Sequence, residues 1–427
     1  MSSRAAVADA PPEGTTIRPG TFASLRVRNF RLFAVGLFVS GTGAWVQRIA
    51  QDWLVLDLTG SAAAVGVTTA CQFLPTLVIG LYGGVIADRF SRRAILLTTQ
   101  ATLGLLATTL SVLTISGLIT VWHVYLLALG LGSVAAFDNP CRQAFVNELV
   151  GPERIRNAIG LISSTFQLGA LVGPLLSGVL IGAAGNGVAF AVNAATYGAT
   201  ITALLLVRPD ELRRTVQPRT DVRLRDGLRY VMANPQVRWP VLLVGTFGVF
   251  ITSLPVTLAS FADSVLHSGA GGYGLLNSLV AFGSLIGALL SAGRARRGRL
   301  RTLVGIAAVL AIATMLAASA PTAWAFLPLL VALGVATLQF LTTAQSMVQQ
   351  TTPDHLRGRV LGVYTLVFVG SGAVGSPLVG VIDEQVGPRI GLLLAGAIPA
   401  AVTLLVARRL AHDSRLRLHI SITLVPR

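Results

Sequence analysis

The stretch GVIADRFSRR, residues 84–93, joins two apolar segments, residues 61–86 and 94–116. Each segment is longer than the roughly 20 residues that an α-helix needs to cross the hydrocarbon core of a bilayer. The stretch between them holds one acidic and three basic side chains. A short charged loop between two long apolar segments predicts a pair of transmembrane helices, and it argues against the short alternating strands of a β-barrel.

The composition of the whole chain supports the same interpretation. The 427 residues are 53% hydrophobic and only 12% charged, with a mean hydropathy of +0.73. Soluble domains carry about 25% charged residues. The 45 glycines are typical of closely packed membrane helices. We therefore expect an all-α integral membrane protein.

Ten further apolar segments bring the expected number of transmembrane helices to twelve. Turn signals such as Thr59-Gly60 and Gly185-Asn186-Gly187 separate neighbouring segments. The twelve segments are residues 31–57, 61–86, 94–116, 121–142, 157–182, 188–207, 239–265, 272–292, 301–318, 323–347, 359–382 and 390–407. An even number of crossings puts both ends of the chain on one side of the membrane.

The arginines give the orientation. Arginine supplies every basic residue of the chain, and 31 of the 33 fall in segments on the side that holds both termini. Arg389 lies on the opposite side and Arg48 lies inside the first span. Because basic residues concentrate in cytoplasmic loops, both termini are predicted to be cytoplasmic, in a multi-pass protein of the inner membrane. The same distribution explains the net charge of +16 without a nucleic-acid partner.

A basic segment in the middle of the chain suggests two halves of six helices each. We expect a cytoplasmic N-terminal tail at 1–30, a six-helix bundle at 31–207, a cytoplasmic amphipathic linker at 208–238, a second six-helix bundle at 239–408 and a cytoplasmic C-terminal tail at 409–427. The amphipathic part of the linker, residues 224–231, is expected to lie along the membrane surface.

Sequence echoes indicate that the halves arose by duplication. PERIR at 152–156 recurs as PDHLR at 353–357, and GPLLSG at 173–178 recurs as GSPLVG at 375–380. Parallel six-helix repeats with a binding site between them are a transporter architecture. We therefore expect two six-helix bundles related by pseudo-two-fold symmetry.

Residues 84–93 resemble the signature loop of the major facilitator superfamily, G-x-x-x-D-R-x-G-R-R, with Ser91 where glycine is usual. Charges at helix ends pair with one another and with helix dipoles, and such pairs hold two halves together. The alternative is a plain basic loop. The candidate members of this inner gate are Gly84, Asp88, Arg89, Arg92, Arg93, Asp138 and Arg142.

Two further stretches resemble a narrower group. FDNPCRQAFV at 137–146 and the polar and aromatic pattern at 45–55 are similar to the exporter subgroup that includes the enterobactin exporter, of transmembrane secretion effector type. With the signature loop, the resemblance covers essentially the whole chain. It implies a transporter that exports small molecules, commonly by proton coupling.

The fifth segment contains the spacing Gly169-x3-Gly173-Pro174-x3-Gly178. It resembles the motif of proton-driven antiporters in this superfamily. Glycines four residues apart clear one face of a helix for close packing, and the proline bends the helix. The pattern favours export, and the alternative is ordinary packing of small residues.

Ionisable side chains inside the membrane are the best candidates for function, because each costs at least about 2.5–3.5 kcal/mol at mid-helix. Arg48 and Asp52 lie four residues apart in the first span, on one helical face, where they can pair. Gln47 and Gln51 extend this polar face. We predict that Asp52 is the proton-coupling carboxylate, modulated by Arg48, in a substrate cavity; the alternative is a static ion pair.

Two other pairs of ionisable residues are interpreted as structural. Asp138 and Arg142 repeat the four-residue spacing at the inner end of the fourth span, where a place in the inner gate is favoured over a proton or substrate role. Asp383 and Glu384 are expected to lie at the membrane interface, at the end of the eleventh span.

Several chemistries are not expected. The chain has no nucleotide-binding loop, no nucleophile elbow, no zinc or haem spacing, and only two cysteines, so we expect no cofactor, no metal and no enzyme activity.

We expect a secondary transporter, acting as a monomer, that exports a small lipophilic or weakly cationic molecule (a drug, siderophore or secondary metabolite) by alternating access and proton antiport. The alternatives are a proton-independent facilitator or importer and a non-transporting membrane sensor.

Overall fold

The computed structural model describes residues 22–89, 91–213, 224–292 and 300–423, with the backbone alone for residues 81–89, 224, 292 and 413–423. Within these ranges the chain forms helices and no strand. The helices are α1 Arg28–Thr59, α2 Ala62–Arg89, α3 Arg92–Ile115, α4 Val121–Val150, α5 Ile155–Leu206, α6 Leu224–Ala233, α7 Pro235–Ser260, α8 Gly269–Ala292, α9 Leu300–Ala318, α10 Ala323–Thr351, α11 Asp354–Val386 and α12 Pro388–Thr423.

Eleven helices of the described part are long and apolar enough to cross a membrane, which makes the protein a multi-pass membrane protein. The amphipathic α6 is too short to do so. The element α5 consists of two helices that meet at a kink; as one straight helix its 52 residues would measure about 78 Å, more than twice the thickness of the hydrocarbon core. Gly185 breaks it with φ 82° and ψ 170°, a conformation that favours glycine.

The helices continue beyond the apolar segments that predict them. The fourth segment is predicted to end at residue 142, but α4 continues to Val150 and stops at Gly151, which has φ 74°. The eleventh is predicted at 359–382, and α11 spans Asp354–Val386. Hydropathy marks the part of a helix that matches the membrane, whereas the helix ends where a glycine or proline interrupts its hydrogen bonds.

Helix α1 packs against α5 along its whole length, because small residues let the two backbones approach. A Cβ on Gly36 would lie 3.0 Å from the Cβ of Ala203. Polar groups bridge the same contact: the Ser177 hydroxyl donates to the carbonyl of Val46 at 2.9 Å, and the Thr200 hydroxyl donates to Gly36 O at 2.9 Å. Buried hydroxyls between membrane helices are thereby satisfied by the neighbouring backbone.

The predicted amphipathic stretch of the linker forms α6, which packs against the start of α11. Val231 on its apolar face is buried, and the Tyr230 hydroxyl donates to Thr351 O at 3.3 Å. Asp226 pairs with Arg359 at 3.6 Å. The residues predicted between α5 and α6, 214–223, lie outside the described residues.

Two helix crossings join the first part of the chain to the last at matching positions of the echoed motifs. Gly178 of α5 packs on the backbone of Ala270 and Gly271 at the start of α8. Gly380 of α11 packs on the backbone of Ala62 at the start of α2. Both glycines hold the same place in the echoed motif, so the repetition in sequence accompanies a repetition of contacts.

Candidate functional site

A cavity of about 450 Å³ lies among the helices of the first part of the chain. Among the described residues, all that line it belong to α1–α5 except Val369 of α11. Its wall combines polar side chains with aromatic rings. The polar members are Ser40, Gln47, Arg48, Gln51, Gln72, Thr76, Asp138, Asn139 and Arg142, and the aromatic ones are Trp45, Phe73, Phe166 and Tyr197. A cavity of this size and character is typical of a small-molecule site.

Arg48 projects into this cavity from α1. Its guanidinium donates to Gln72 Oε1 at 3.4 Å. The guanidinium carbon lies 5.3 Å from the ring centroid of Trp45 and 5.7 Å from that of Phe73. The two rings hold the cation by cation–π attraction and leave its N–H edge toward polar neighbours.

Asp52 is oriented differently from the prediction. The carboxylate is 2% exposed, lies outside the cavity wall, and its Oδ2 accepts a hydrogen bond from the Tyr273 hydroxyl of α8 at 2.9 Å. No ion pair between Asp52 and Arg48 occurs among the described ion pairs. The reason is that each side chain finds another neighbour: aromatic rings and Gln72 hold the guanidinium, and a hydroxyl from another helix binds the carboxylate.

Both predicted glutamines line the cavity, but only one of them has a hydrogen-bond partner among the described residues. Gln47 accepts a hydrogen bond from the Asn193 side chain of α5. Gln51 is fully buried, and neither its Oε1 nor its Nε2 has a hydrogen-bond partner among the described residues. A buried amide without partners is costly, so Gln51 is the polar group of the wall that has most to gain from a ligand.

Asp138 and Arg142 form the predicted ion pair, and they form it at the cavity. The Asp138 carboxylate is 2% exposed and also accepts from Thr99 Oγ1 at 2.7 Å and Gln100 Nε2 at 2.9 Å. The sequence did not predict that these two α3 residues bind Asp138. Their only signal is a polar cluster, residues 98–100, inside an otherwise apolar segment.

The predicted inner gate is described in part. Gly84, Asp88 and Arg89 belong to α2 by their backbone, and their side chains lie outside the described residues. Arg92 pairs with Glu148 of α4 at 2.9 Å, and Arg93 donates to the carbonyl of Leu204 in α5 at 2.7 Å. These contacts join α3 to α4 and α5, which belong to the same half of the chain.

The glycine motif of α5 lies at two helix contacts. Gly169 and Gly173 approach α1 so closely that a Cβ on Gly173 would overlap the side chain of Trp45. Gly178 meets the start of α8, and the carbonyl of Pro174 lies against Gly274. The motif therefore joins the cavity-lining helix α1 to a helix of the other half.

Asp383 and Glu384, both near the C-terminal end of α11, differ from each other in burial. Asp383 is 4% exposed and lies against Gly391 of α12. Glu384 is exposed, as expected, and its Oε2 accepts from the Ser61 hydroxyl at 2.7 Å and from the backbone N–H of Ala63 at 3.3 Å. Successive residues of a helix point about 100° apart, so one faces the helix bundle and the other faces α2.

These contacts close one end of the protein, which we call the closed end. It is formed by the C-terminal ends of α1 and α11 and the N-terminal ends of α2 and α8. Asp52 binds Tyr273 there, Glu384 binds the start of α2, and Gly178 and Gly380 make their backbone contacts there. The cavity lies between this end and the opposite end of the helices.

Comparison with known proteins agrees with these features. Residues 19–427 match the transmembrane secretion effector family. The chain is 27% identical to the enterobactin exporter EntS of Salmonella typhi over 376 residues, which cover 86% of this chain and 88% of the relative. It is 28% identical to the enterobactin exporter EntS of Escherichia coli O1:K1 / APEC over 386 residues, covering 86% of this chain and 90% of the relative.

Solved transporter structures share the fold. A bacterial homologue of the human lysosomal transporter Spinster, in an inward-facing and unoccupied conformation, superposes with a TM-score of 0.74 at 16% identity, covering 94% of this chain and 99% of that one. The nucleoside transporter NupG superposes with a TM-score of 0.72 at 13% identity, covering 89% of this chain and 98% of that one.

Proposed function

This chain belongs to the transmembrane secretion effector family, and from that premise we propose that it exports a small molecule by alternating access, driven by proton antiport. The observation that carries the proposal is the cavity of about 450 Å³, lined by polar and aromatic side chains, next to a closed end at which the two halves touch. The relatives are named as exporters of enterobactin, a siderophore, so a siderophore-like molecule is the first candidate substrate.

The proposed arrangement has twelve spans in two six-helix bundles, 31–207 and 239–408, joined by the cytoplasmic linker 208–238. In it α5 crosses the membrane twice, and its break at Gly185 supports this because one crossing needs only about 20 residues. The matching contacts of Gly178 and Gly380 support the pseudo-two-fold relation. The protein acts as a monomer in the inner membrane, with both tails, 1–30 and 409–427, in the cytoplasm.

The proposed cycle opens the closed end outward. The arginine distribution puts the end of α1 and the start of α2 outside, so the conformation described here is inward-facing. To open outward, Tyr273 separates from Asp52 and Glu384 separates from the start of α2, while the opposite ends of the halves come together. That inner contact is made by the predicted gate residues Gly84, Asp88, Arg89, Arg92, Arg93, Asp138 and Arg142.

Asp52 is the proposed proton site. Its Oδ2 is bound by Tyr273, and its Oδ1 has no hydrogen-bond partner among the described residues. When the closed end opens, the carboxylate loses the tyrosine, meets external water and takes a proton. Arg48, four residues earlier and directed into the cavity, modulates this proton site in the proposed cycle. Substrate leaves outward and the proton enters.

The experiment uses inside-out vesicles that respiration acidifies internally. Enterobactin, lipophilic antibiotics and dyes are added in turn, and a fluorescent dye reports the pH gradient. We expect one compound to dissipate the gradient with the wild-type protein and not with Asp52→Asn. Asp57→Asn is the matched control, because Asp57 is an exposed aspartate of the same helix. The proposal fails if no compound dissipates the gradient, or if Asp52→Asn responds as the wild type does.

A further inference from the structure

The cavity wall contains a cation, Arg48, that forms no direct ion pair among the described residues. The hydrogen bond to Gln72 is the one protein partner that the described residues offer to the five N–H groups of Arg48, and at 3.4 Å it is long. No ion pair involving Arg48 occurs among the described residues. Most of its hydrogen-bonding capacity is therefore open to a molecule in the cavity.

The two carboxylates nearest to Arg48 along the cavity and along α1 bind other residues. Asp138 lines the same cavity, but it accepts hydrogen bonds from Thr99 and Gln100 and pairs with Arg142. Asp52 turns to Tyr273 at the closed end. A cation inside a membrane protein is expensive unless something pairs with it, and the described side chains that contact Arg48, which are Gln72 and the rings of Trp45 and Phe73, carry no negative charge.

A second polar group next to Arg48 also lacks partners. Gln51 lies three residues further along α1, so the two side chains are neighbours on the helix surface. It lines the cavity, it is fully buried, and both its amide oxygen and its amide nitrogen are without hydrogen bonds in the described part of the chain. Arg48 and Gln51 therefore lie next to each other in the cavity wall.

Aromatic rings surround these donors. Trp45 and Phe73 flank the guanidinium, and the ring centroid of Phe166 lies 5.7 Å from that of Trp45. Flat rings packed in this way offer faces on which a flat ligand stacks. The donors and the rings are close enough for one small molecule to contact both.

We propose that Arg48 and Gln51 form an anion-binding site in the cavity, and that the exported molecule carries a carboxylate or another oxyanion on a flat ring. This inference rests on the proposed export function, since it assigns the cavity to the cargo. The oxyanion accepts from the guanidinium edge of Arg48 and from the amide of Gln51, and the ring stacks against Trp45 and Phe73. A charge-assisted hydrogen bond of this kind selects an anionic cargo over a neutral or cationic one.

The experiment compares two probes of equal size, 2-naphthoate and its neutral analogue 2-naphthamide. Their binding to the purified full-length protein in lipid nanodiscs is measured by isothermal titration calorimetry. We expect the wild-type protein to bind naphthoate roughly tenfold to hundredfold more tightly than naphthamide, because a hydrogen bond to a charged group has that value. Arg48→Gln removes this preference, because naphthoate loses its charged partner.

Two further variants keep the result interpretable. Arg389→Gln makes the same substitution at an arginine whose guanidinium binds Ala320 O, away from the cavity, and retains the preference. Arg48→Lys keeps the charge and loses the planar stack, so it retains part of the preference even if Arg48→Gln fails to fold.

Equal affinities in the wild type, binding of neither probe, or a preference that survives in folded Arg48→Gln each overturn the anion site. The vesicle experiment tests proton-coupled export separately. If the protein prefers naphthoate but dissipates no proton gradient, the anion site is supported and proton-coupled export is overturned.

Discussion

The hydroxyl of Tyr273 donates to Asp52 Oδ2 at 2.9 Å and thereby joins α1 to α8 at the closed end. The ring of Trp53 stacks on the ring of Tyr273, with centroids 6.2 Å apart, and both aromatic residues are buried. The buried carboxylate near the C-terminal end of α1 is thus bound by a residue from the other half of the chain. Any movement that separates the halves there must also release this carboxylate.

Removing the Tyr273 hydroxyl is expected to loosen the closed end. Tyr273→Phe keeps the stacked ring and loses one hydrogen bond to an acidic group, about 1.5–3 kcal/mol, so the population with the closed end open rises about tenfold or more. Spin labels at Leu58 and Val386, exposed residues near the ends of α1 and α11, report this population as a longer distance. Cys71 and Cys141 are replaced by alanine beforehand.

Tyr125→Phe is the matched control. Tyr125 packs edge-on against Trp122 of the same helix, α4, so this ring contact does not connect the two halves of the chain. An unchanged distance distribution in Tyr273→Phe would show that the hydrogen bond does not hold the closed end.

Adding a methyl group at Gly380 is expected to prevent closure. A Cβ there would lie 2.4 Å from the carbonyl oxygen of Ala62, and backbone atoms cannot move aside. Gly380→Ala therefore separates α11 from α2 and destabilises the closed conformation by roughly 1–3 kcal/mol. The same spin-label pair measures the shift, and the melting temperature of the purified protein falls.

Gly362→Ala serves as its control on the same helix, since no atom lies within 4 Å of a Cβ at Gly362. Equal behaviour of Gly380→Ala and Gly362→Ala contradicts the role of the backbone contact.

Neutralising Asp138 is expected to destabilise the first half. Asp138→Asn removes the charge that Arg142, Thr99 and Gln100 all bind, and it costs about 1–3 kcal/mol of unfolding free energy. The thiol of Cys141 is fully buried, so its reaction with a fluorogenic maleimide on heating reports unfolding in a Cys71→Ala background.

Thr99→Val loses one of the three partners and is expected to cost about 1 kcal/mol. A melting temperature of Asp138→Asn equal to that of the parent would mean that the network contributes nothing to stability.

Local pattern predicted where the helices lie along the chain. The apolar segments predicted the order of the helices, and Gly185 was identified as an interruption of a long apolar run, because a positive φ favours glycine. The ends of the helices were harder to predict. Hydropathy falls after residue 142, but the last eight residues of α4 remain helical up to Val150.

Side-chain partners were less predictable. Spacing alone placed Arg48 and Asp52 on one face, and it suggested that they pair. The alternatives, Gln72 on α2 and Tyr273 on α8, lie 24 and 221 residues away in sequence, and no pattern within α1 points to them. The same limit applies to Asp383, whose burial depends on α12 packing against the last turn of α11.

The amino-acid sequence by itself determined the membrane character of this protein, the order of its helices and its resemblance to an exporter family, because these depend on composition, hydropathy and short motifs. Tertiary structure alone decided that Arg48 faces the cavity without an acidic partner while Asp52 closes the contact with α8. The physical reason is that a polar side chain in a membrane binds the nearest group able to satisfy it, and that group is supplied by helices distant in the chain.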